Sequence, residues 1–212
     1  PRRGAAAAAA GGAAVGARTG EPALASGAHG KPYFPDAPQL QFSISHSGAY
    51  WLCAFSAAPV GLDVQQHRDC QKQALARRFF SPAEQAFLER TSHAPFFDLW
   101  CAKESYLKFT GEGLSGLEAV CTVSPEGGFP SVPGVNLQLL PLFAGYSACL
   151  CTASPAEIRV QTDEHRANAF PAGEGGPKGR MRVGEQSRIA VQFQQFAAAP
   201  RPFSLLRSQL PE

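Results

Sequence analysis

No stretch of this 212-residue chain approaches the ~18 consecutive apolar residues that a membrane helix needs. The alanine-rich start also lacks the leucine-rich core of a secretory signal. No membrane partner is therefore expected. Charge of one sign is missing too: 19 Lys and Arg stand against 17 Asp and Glu, a formal net charge of +2. That balance excludes a strong non-specific nucleic-acid binder and leaves only room for a local basic patch. There is no C-x-x-C pair among the six cysteines, Cys53, Cys70, Cys101, Cys121, Cys149 and Cys151. Most lie in apolar runs, where a thiol behaves as a small hydrophobe. They read as reduced thiols of a cytoplasmic protein. The five histidines are as scattered as the cysteines, which disfavours a zinc site.

Ordered-looking pattern is also absent at both ends. Residues 1–30 hold twelve alanines and seven glycines with neither a 2- nor a 3.6-residue apolar period. They read as low-complexity and weakly ordered. The chain opens on Pro1 rather than Met, as a fragment or an unusual gene start would. Residues 161–212 read as a linker-like tail, with "AFPAGEGGPKGRMRVGEQ" rich in Gly, Pro and charge. Within it, "IAVQFQQFAAAP" suits a short strand or helix.

Residues 31–160 carry the informative pattern, that of a mixed α+β unit. "QFSISHS" alternates, with Phe42, Ile44 and His46 on one face and Ser43, Ser45 and Ser47 on the other. "AYWLCAFSAA" suits a strand buried on both faces. "GLDVQ" follows as a strand, placing Leu62 and Val64 on one face and Asp63 and Gln65 on the other. "FFSPAEQAFLER" opens a helix with a capping box: Ser81 at the N-cap, Pro82 at N1 and Glu84 at N3. "APFFDLWCAKESYLKFTGEGL" is a longer helix. Its core face repeats at Phe96, Trp100 and Leu107, and Gly111 or Gly113 ends it. Strands are expected in "AVCTVS", "VNLQLLPLF" and "YSACLCTA". An internal echo aligns residues 50–59 with 146–155: Tyr, Cys, Ala and Pro coincide at the first, fourth, eighth and tenth places.

Asp63 is the odd residue. A carboxylate between Leu62 and Val64 either faces water or is a ligand, because burying it unpaired is expensive. Taken singly, the other candidates have bland readings. Glu104 and Lys108, i and i+4 on a helix, make a surface pair worth ~0.2–0.5 kcal/mol. His46 alone is a hydrogen-bonded core histidine, and Lys31 alone says nothing.

Taken in order, "GKP" at 30–32, "QFSISHS", "GLDVQ", "FFSPAE" and "WCAKESYLK" resemble the successive motifs of the Sfp-like 4'-phosphopantetheinyl transferases, the holo-acyl-carrier-protein synthase type. The resemblance covers roughly residues 30–155. It implies an α+β fold of two similar half-domains related by a pseudo-twofold axis, with the coenzyme at their junction. It implies transfer of the phosphopantetheine arm of coenzyme A to a serine of an acyl or peptidyl carrier protein, releasing adenosine 3',5'-bisphosphate. By the same resemblance Mg2+ is the cofactor, held by Asp63 and Glu104, with Gln65 as a further ligand. Lys31, Ser45, His46 and Lys108 hold the coenzyme. Glu104, or a water on the metal, takes the proton of the attacking serine.

The sequence departs from the family pattern in three places. Gln65 stands where a second acid is usual, which weakens the metal site. The region before "GKP" is short and nearly devoid of basic residues, so the first half-domain is expected to be truncated. The last fifty residues match no family motif. Two other readings stay open: an inactive remnant that binds coenzyme A or a carrier protein, and a metal-dependent pyrophosphate hydrolase using Asp63 and Glu104.

Overall fold

The computed structural model describes residues 23–162 and 188–195. Most of residues 1–30 and of the tail from 161 therefore lies outside the described residues. The elements run β1 (Ala25–Ser26), β2 (Pro32–Tyr33), β3 (Gln41–Ser47), β4 (Tyr50–Ser56), β5 (Val60–Gln66), α1 (Lys72–Phe79), α2 (Pro82–Arg90), α3 (Phe96–Thr110), β6 (Asn136–Leu139), β7 (Tyr146–Thr152), β8 (Glu157–Thr162) and β9 (Arg188–Gln195). Two sheets dominate. One is four-stranded in the order β3-β4-β9-β8; the other is three-stranded in the order β5-β7-β6. Pairing is antiparallel except between β8 and β9. The two echo segments form β4 and β7, each flanked on both sides within its own sheet. The sheets meet over an apolar core that includes Leu52, Ala54, Leu62, Val64, Leu150 and Val191.

The helices follow their sequence signals. Ser81 accepts from the Glu84 N–H at 3.3 Å and the Ser81 N–H donates to Glu84 Oε2 at 2.8 Å, closing the capping box. Phe96, Trp100 and Leu107 are buried in the helical core, and α3 ends at Gly111 in the left-handed conformation with φ of 79°. An additional helix, α1, precedes the capping box.

Two segments depart from the expected pattern, and a third settles an open choice between strand and helix. "AVCTVS" is not a strand. Its polar backbone is taken up from the side instead: Thr122 N–H donates to Glu84 Oε1 at 2.8 Å, and the Val120 carbonyl accepts from Lys103 Nζ. Those partners replace the ladder a strand would need. "VNLQLLPLF" is strand only over Asn136–Leu139, two residues before Pro141, which has no N–H to pair. Arg188–Gln195, inside the stretch read as tail, forms β9 between β4 and β8, consistent with its Ile189, Val191, Phe193 alternation.

The two sheets are joined by side chains. β5 pairs with β7 along one edge, and its other edge faces the serine side of β3. The N–H groups of Leu62, Val64 and Gln66 donate to the hydroxyls of Ser43, Ser45 and Ser47 at 2.9, 3.1 and 2.9 Å. The alternation in "SISHS" matches the alternation of N–H groups along β5.

α3 lies on the sheet formed by β5, β7 and β6, and one row of its residues follows β5. At Gly61 the helix comes so close that a Cβ would overlap the Ser105 carbonyl oxygen and sit 2.5 Å from the Phe109 nitrogen. Gly61 therefore fixes the depth at which α3 seats.

Candidate active site

Asp63, at the middle of β5, is 5% exposed. Its Oδ1 accepts two donors: Ser45 Oγ at 2.7 Å from β3 and Lys108 Nζ at 2.7 Å from the last turns of α3. Oδ2 is buried with no hydrogen-bond partner. A carboxylate oxygen left unpaired in the interior is unfavourable and signals a missing partner. The buried Cys101 thiol lies beside this carboxylate and has one hydrogen for two acceptors, the Ser147 carbonyl at 3.3 Å and Asp63, so it is at most a weak and partial donor to it. Burial, with Asp63 adding to it, pushes that thiol well above its ordinary range.

Glu104 sits one turn before Lys108 on the same face of α3 and is 9% exposed. Burial lifts its carboxyl to about 7; the Asp63 charge adds to the rise, and the Lys108 ammonium opposes it. Lys108 responds the other way. Burial pulls it down, but the carboxylates of Asp63 and Glu104 outweigh that and leave it above its ordinary value. Two acids and one partly exposed ammonium thus share a small volume between β5 and α3.

Such a pair fits a magnesium ion. Mg2+ is held by one or two carboxylates and completes its shell with water and substrate phosphates. The orphaned Asp63 Oδ2 is the atom with acceptor capacity to spare. Among the described residues no cluster of three or more His, Cys, Asp or Glu side chains forms a fuller cage. Gln65, half-buried, lines a shallow cleft with Arg68, Phe96, Phe97 and Trp100, two residues along β5 from Asp63.

The remaining candidates lie around this centre. Lys31 Nζ donates to the carbonyls of Val60 and Phe109 at 3.2 and 3.1 Å, tying "GKP" to the start of β5 and the end of α3. Burial lowers its pKa. A lysine has three donors, so one remains. His46 is exposed on β3 opposite Trp51. The structure therefore gathers Ser45, Asp63, Glu104 and Lys108, while Lys31 and His46 stand at the rim on separate elements.

Sequence reasoning missed the supports. Glu84 and Lys103 form an ion pair at 2.7 Å with both side chains fully buried. Glu84 also accepts from the Ser81 N–H and from Thr122 N–H and Oγ, at 2.8, 2.8 and 2.9 Å. Lys103 precedes Glu104 in the chain, so this pair anchors α3 to the start of α2 one residue from Glu104. The capping box marked Glu84 but gave no hint of its second partner. At the other end of α3, Ser147 Oγ donates to Asp98 Oδ1 at 2.5 Å and contacts His67 Nε2 at 2.8 Å. No sequence spacing pointed to that contact.

Comparison with known proteins bears on the family of the chain. The family model of the 4'-phosphopantetheinyl transferase superfamily matches residues 59–167, about half of the chain. The 4'-phosphopantetheinyl transferase Sfp of Bacillus subtilis is 41% identical over 93 residues, 41% of this chain and 40% of its own. A 4'-phosphopantetheinyl transferase of Bacillus pumilus is 35% identical over 140 residues, 60% of this chain and 59% of its own. The 4'-phosphopantetheinyl transferase AcpT of Salmonella typhi is 30% identical over 147 residues, 66% of this chain and 72% of its own. The chain thus spans 40% and 59% of the first two of these relatives. With the matched segment running from the start of β5 through α3 to β8, and so carrying both buried carboxylates, the chain belongs to the 4'-phosphopantetheinyl transferase superfamily.

Proposed function

We propose that this protein transfers the phosphopantetheine arm of coenzyme A to a serine hydroxyl of an acyl or peptidyl carrier protein. The observation that carries the reading is the convergence of two buried carboxylates, Asp63 and Glu104, with the Lys108 ammonium, Asp63 Oδ2 having acceptor capacity left over. Asp63 and Glu104 would hold Mg2+, with Gln65 reaching it directly or through water. The metal supplies positive charge to the pyrophosphate oxygens as the bond breaks. Lys108, on the open side of the pair, contacts a phosphate; Lys31 through its remaining donor and His46 at the rim add further positive or hydrogen-bonding groups.

In the reaction the serine oxygen bonds to the phosphorus that carries the pantetheine arm. The bond from that phosphorus to the bridging oxygen breaks, and adenosine 3',5'-bisphosphate leaves. The serine proton must be taken by a base. Glu104, or a water on the metal, is the group placed to take it. The walls of α3 and β5 keep water from the pair and so strengthen each charge interaction. In this reading β4 and β7 are equivalent strands of two half-domains related by a pseudo-twofold axis, and the coenzyme lies between them.

The test is intact-mass analysis of an apo acyl carrier protein incubated with this protein, coenzyme A and Mg2+. The expected result is a mass gain of one phosphopantetheine group, lost in Asp63→Asn and Glu104→Gln. Coenzyme A binding without any mass gain would leave a binding module. Release of a coenzyme A cleavage product without carrier protein would make it a hydrolase.

A further inference from the structure

We infer that Ser45 is a positioning residue for Asp63 and not a phosphate ligand. The inference rests on the metal reading of Asp63 given above but adds a role that reading does not contain. The argument is one of hydrogen-bond capacity. A serine hydroxyl has one hydrogen and two lone pairs. The hydrogen of Ser45 is committed to Asp63 Oδ1 at 2.7 Å. One lone pair accepts from the Val64 N–H at 3.1 Å. No donor is left for a phosphate oxygen, and a phosphate offers none for the remaining lone pair when fully ionised. The residue is also 6% exposed, whereas His46 beside it is exposed.

The same two bonds do something specific to Asp63. Val64 is the next residue of β5, so Ser45 grips the strand backbone and the carboxylate together. With Lys108 on the same oxygen, Oδ1 is occupied from two sides and the rotation of the carboxylate is fixed. Oδ2, which no charged donor occupies, is then the oxygen with acceptor capacity left for a cation. Groups that orient a metal ligand in this way change metal affinity roughly 10–100-fold when removed. Ser43 and Ser47 make the corresponding backbone bonds to Leu62 and Gln66 without the carboxylate contact, which provides an internal control.

The experiment measures two affinities by titration calorimetry: Mn2+ alone, as the probe of the carboxylate pair, and coenzyme A alone in the presence of a chelator. Ser45→Ala is expected to weaken Mn2+ binding tenfold or more and to leave coenzyme A within threefold of wild type. Ser43→Ala is expected to leave both within threefold. A smaller Mn2+ loss in Ser45→Ala, an equal Mn2+ loss in Ser43→Ala, or a larger change in coenzyme A affinity overturns the inference. Should Ser45→Ala not fold, Ser45→Cys fills nearly the same space with a weak donor and carries the same two readouts. A wild type that binds no Mn2+ overturns the metal reading itself, which separates the two failures.

Discussion

Gly61→Ala is the most informative single change, because its effect passes through helix placement rather than through any functional group. The added methyl would overlap the Ser105 carbonyl oxygen and lie 2.5 Å from the Phe109 nitrogen and 2.9 Å from the Phe109 Cβ. Carbon contacts are comfortable from about 3.5 Å. The nearer atoms belong to the backbone of α3, so no side-chain rotation relieves the clash. The helix must lift by more than about 1 Å at that point, judged against the same contact distance. Overpacking of this kind costs about 1–3 kcal/mol. The functional loss is larger in proportion. Ser105 and Phe109 flank Glu104 and Lys108, and the Lys108–Asp63 contact is now 2.7 Å. A displacement of about 1 Å at a reacting centre is enough for a roughly hundredfold loss of rate. Urea denaturation and the carrier-protein mass assay measure the two effects. A variant with wild-type midpoint and wild-type turnover would refute the close seating of α3 on β5.

Three further outcomes follow from other parts of the site. Because burial holds Glu104 near 7 in the folded chain against an ordinary value of 4.5, its contribution to stability is fullest below pH ~4.5 and is lost as pH rises to about 7. The loss is at most about 3 kcal/mol; denaturation midpoints of Glu104→Gln should vary less over that window, and parallel curves for the two proteins would sink the assignment. Glu84→Gln strips the charge from the partner of a fully buried ammonium and should destabilise by about 3–5 kcal/mol, with Glu84→Gln/Lys103→Met recovering part of it; a single-variant loss below about 1 kcal/mol in urea would contradict the pair's role. On β5, Gln65→Glu should lower the Mg2+ concentration for half-maximal modification while Asp63→Asn abolishes modification, and overlapping titration curves would remove this strand from the metal site.

Much of the fold was legible because its signals are local. The capping box at Ser81, the core repeat of Phe96, Trp100 and Leu107, and the glycine stop at Gly111 each depend on neighbours a few residues away. Asp63 was legible for the opposite reason: a charge in an apolar strand is anomalous wherever it points. What could not be read were pairings between distant residues of ordinary type. Glu84 satisfies a helix start and also holds Lys103 and Thr122, and only the second role removes "AVCTVS" from the sheets. The serines of β3 gave a strand period, which says that they share a face. It does not say that the face is dry. An alternating polar face ordinarily marks solvent, yet Ser43 and Ser45 are buried because each hydroxyl is matched to an N–H of β5. The resemblance makes Ser45 a coenzyme-holding residue, and its bond to Asp63 exists only after β3 and β5 meet, so no spacing in the sequence shows it.

The position of β9 has a consequence for the order in which the molecule is assembled. It lies between β4 and β8 although it is the last of the described strands in the chain. During synthesis from the N-terminus, β4 has β3 as its only sheet neighbour until residues 188–195 emerge, and β8 has nothing to pair with. The elements that gather Ser45, Asp63, Glu104 and Lys108 are β3, β5 and α3, and β7 completes the pairing of β5 by Thr152. The nascent chain can therefore build its reactive centre while half of the larger sheet is still an open edge, and closure of that edge is a separate and later event.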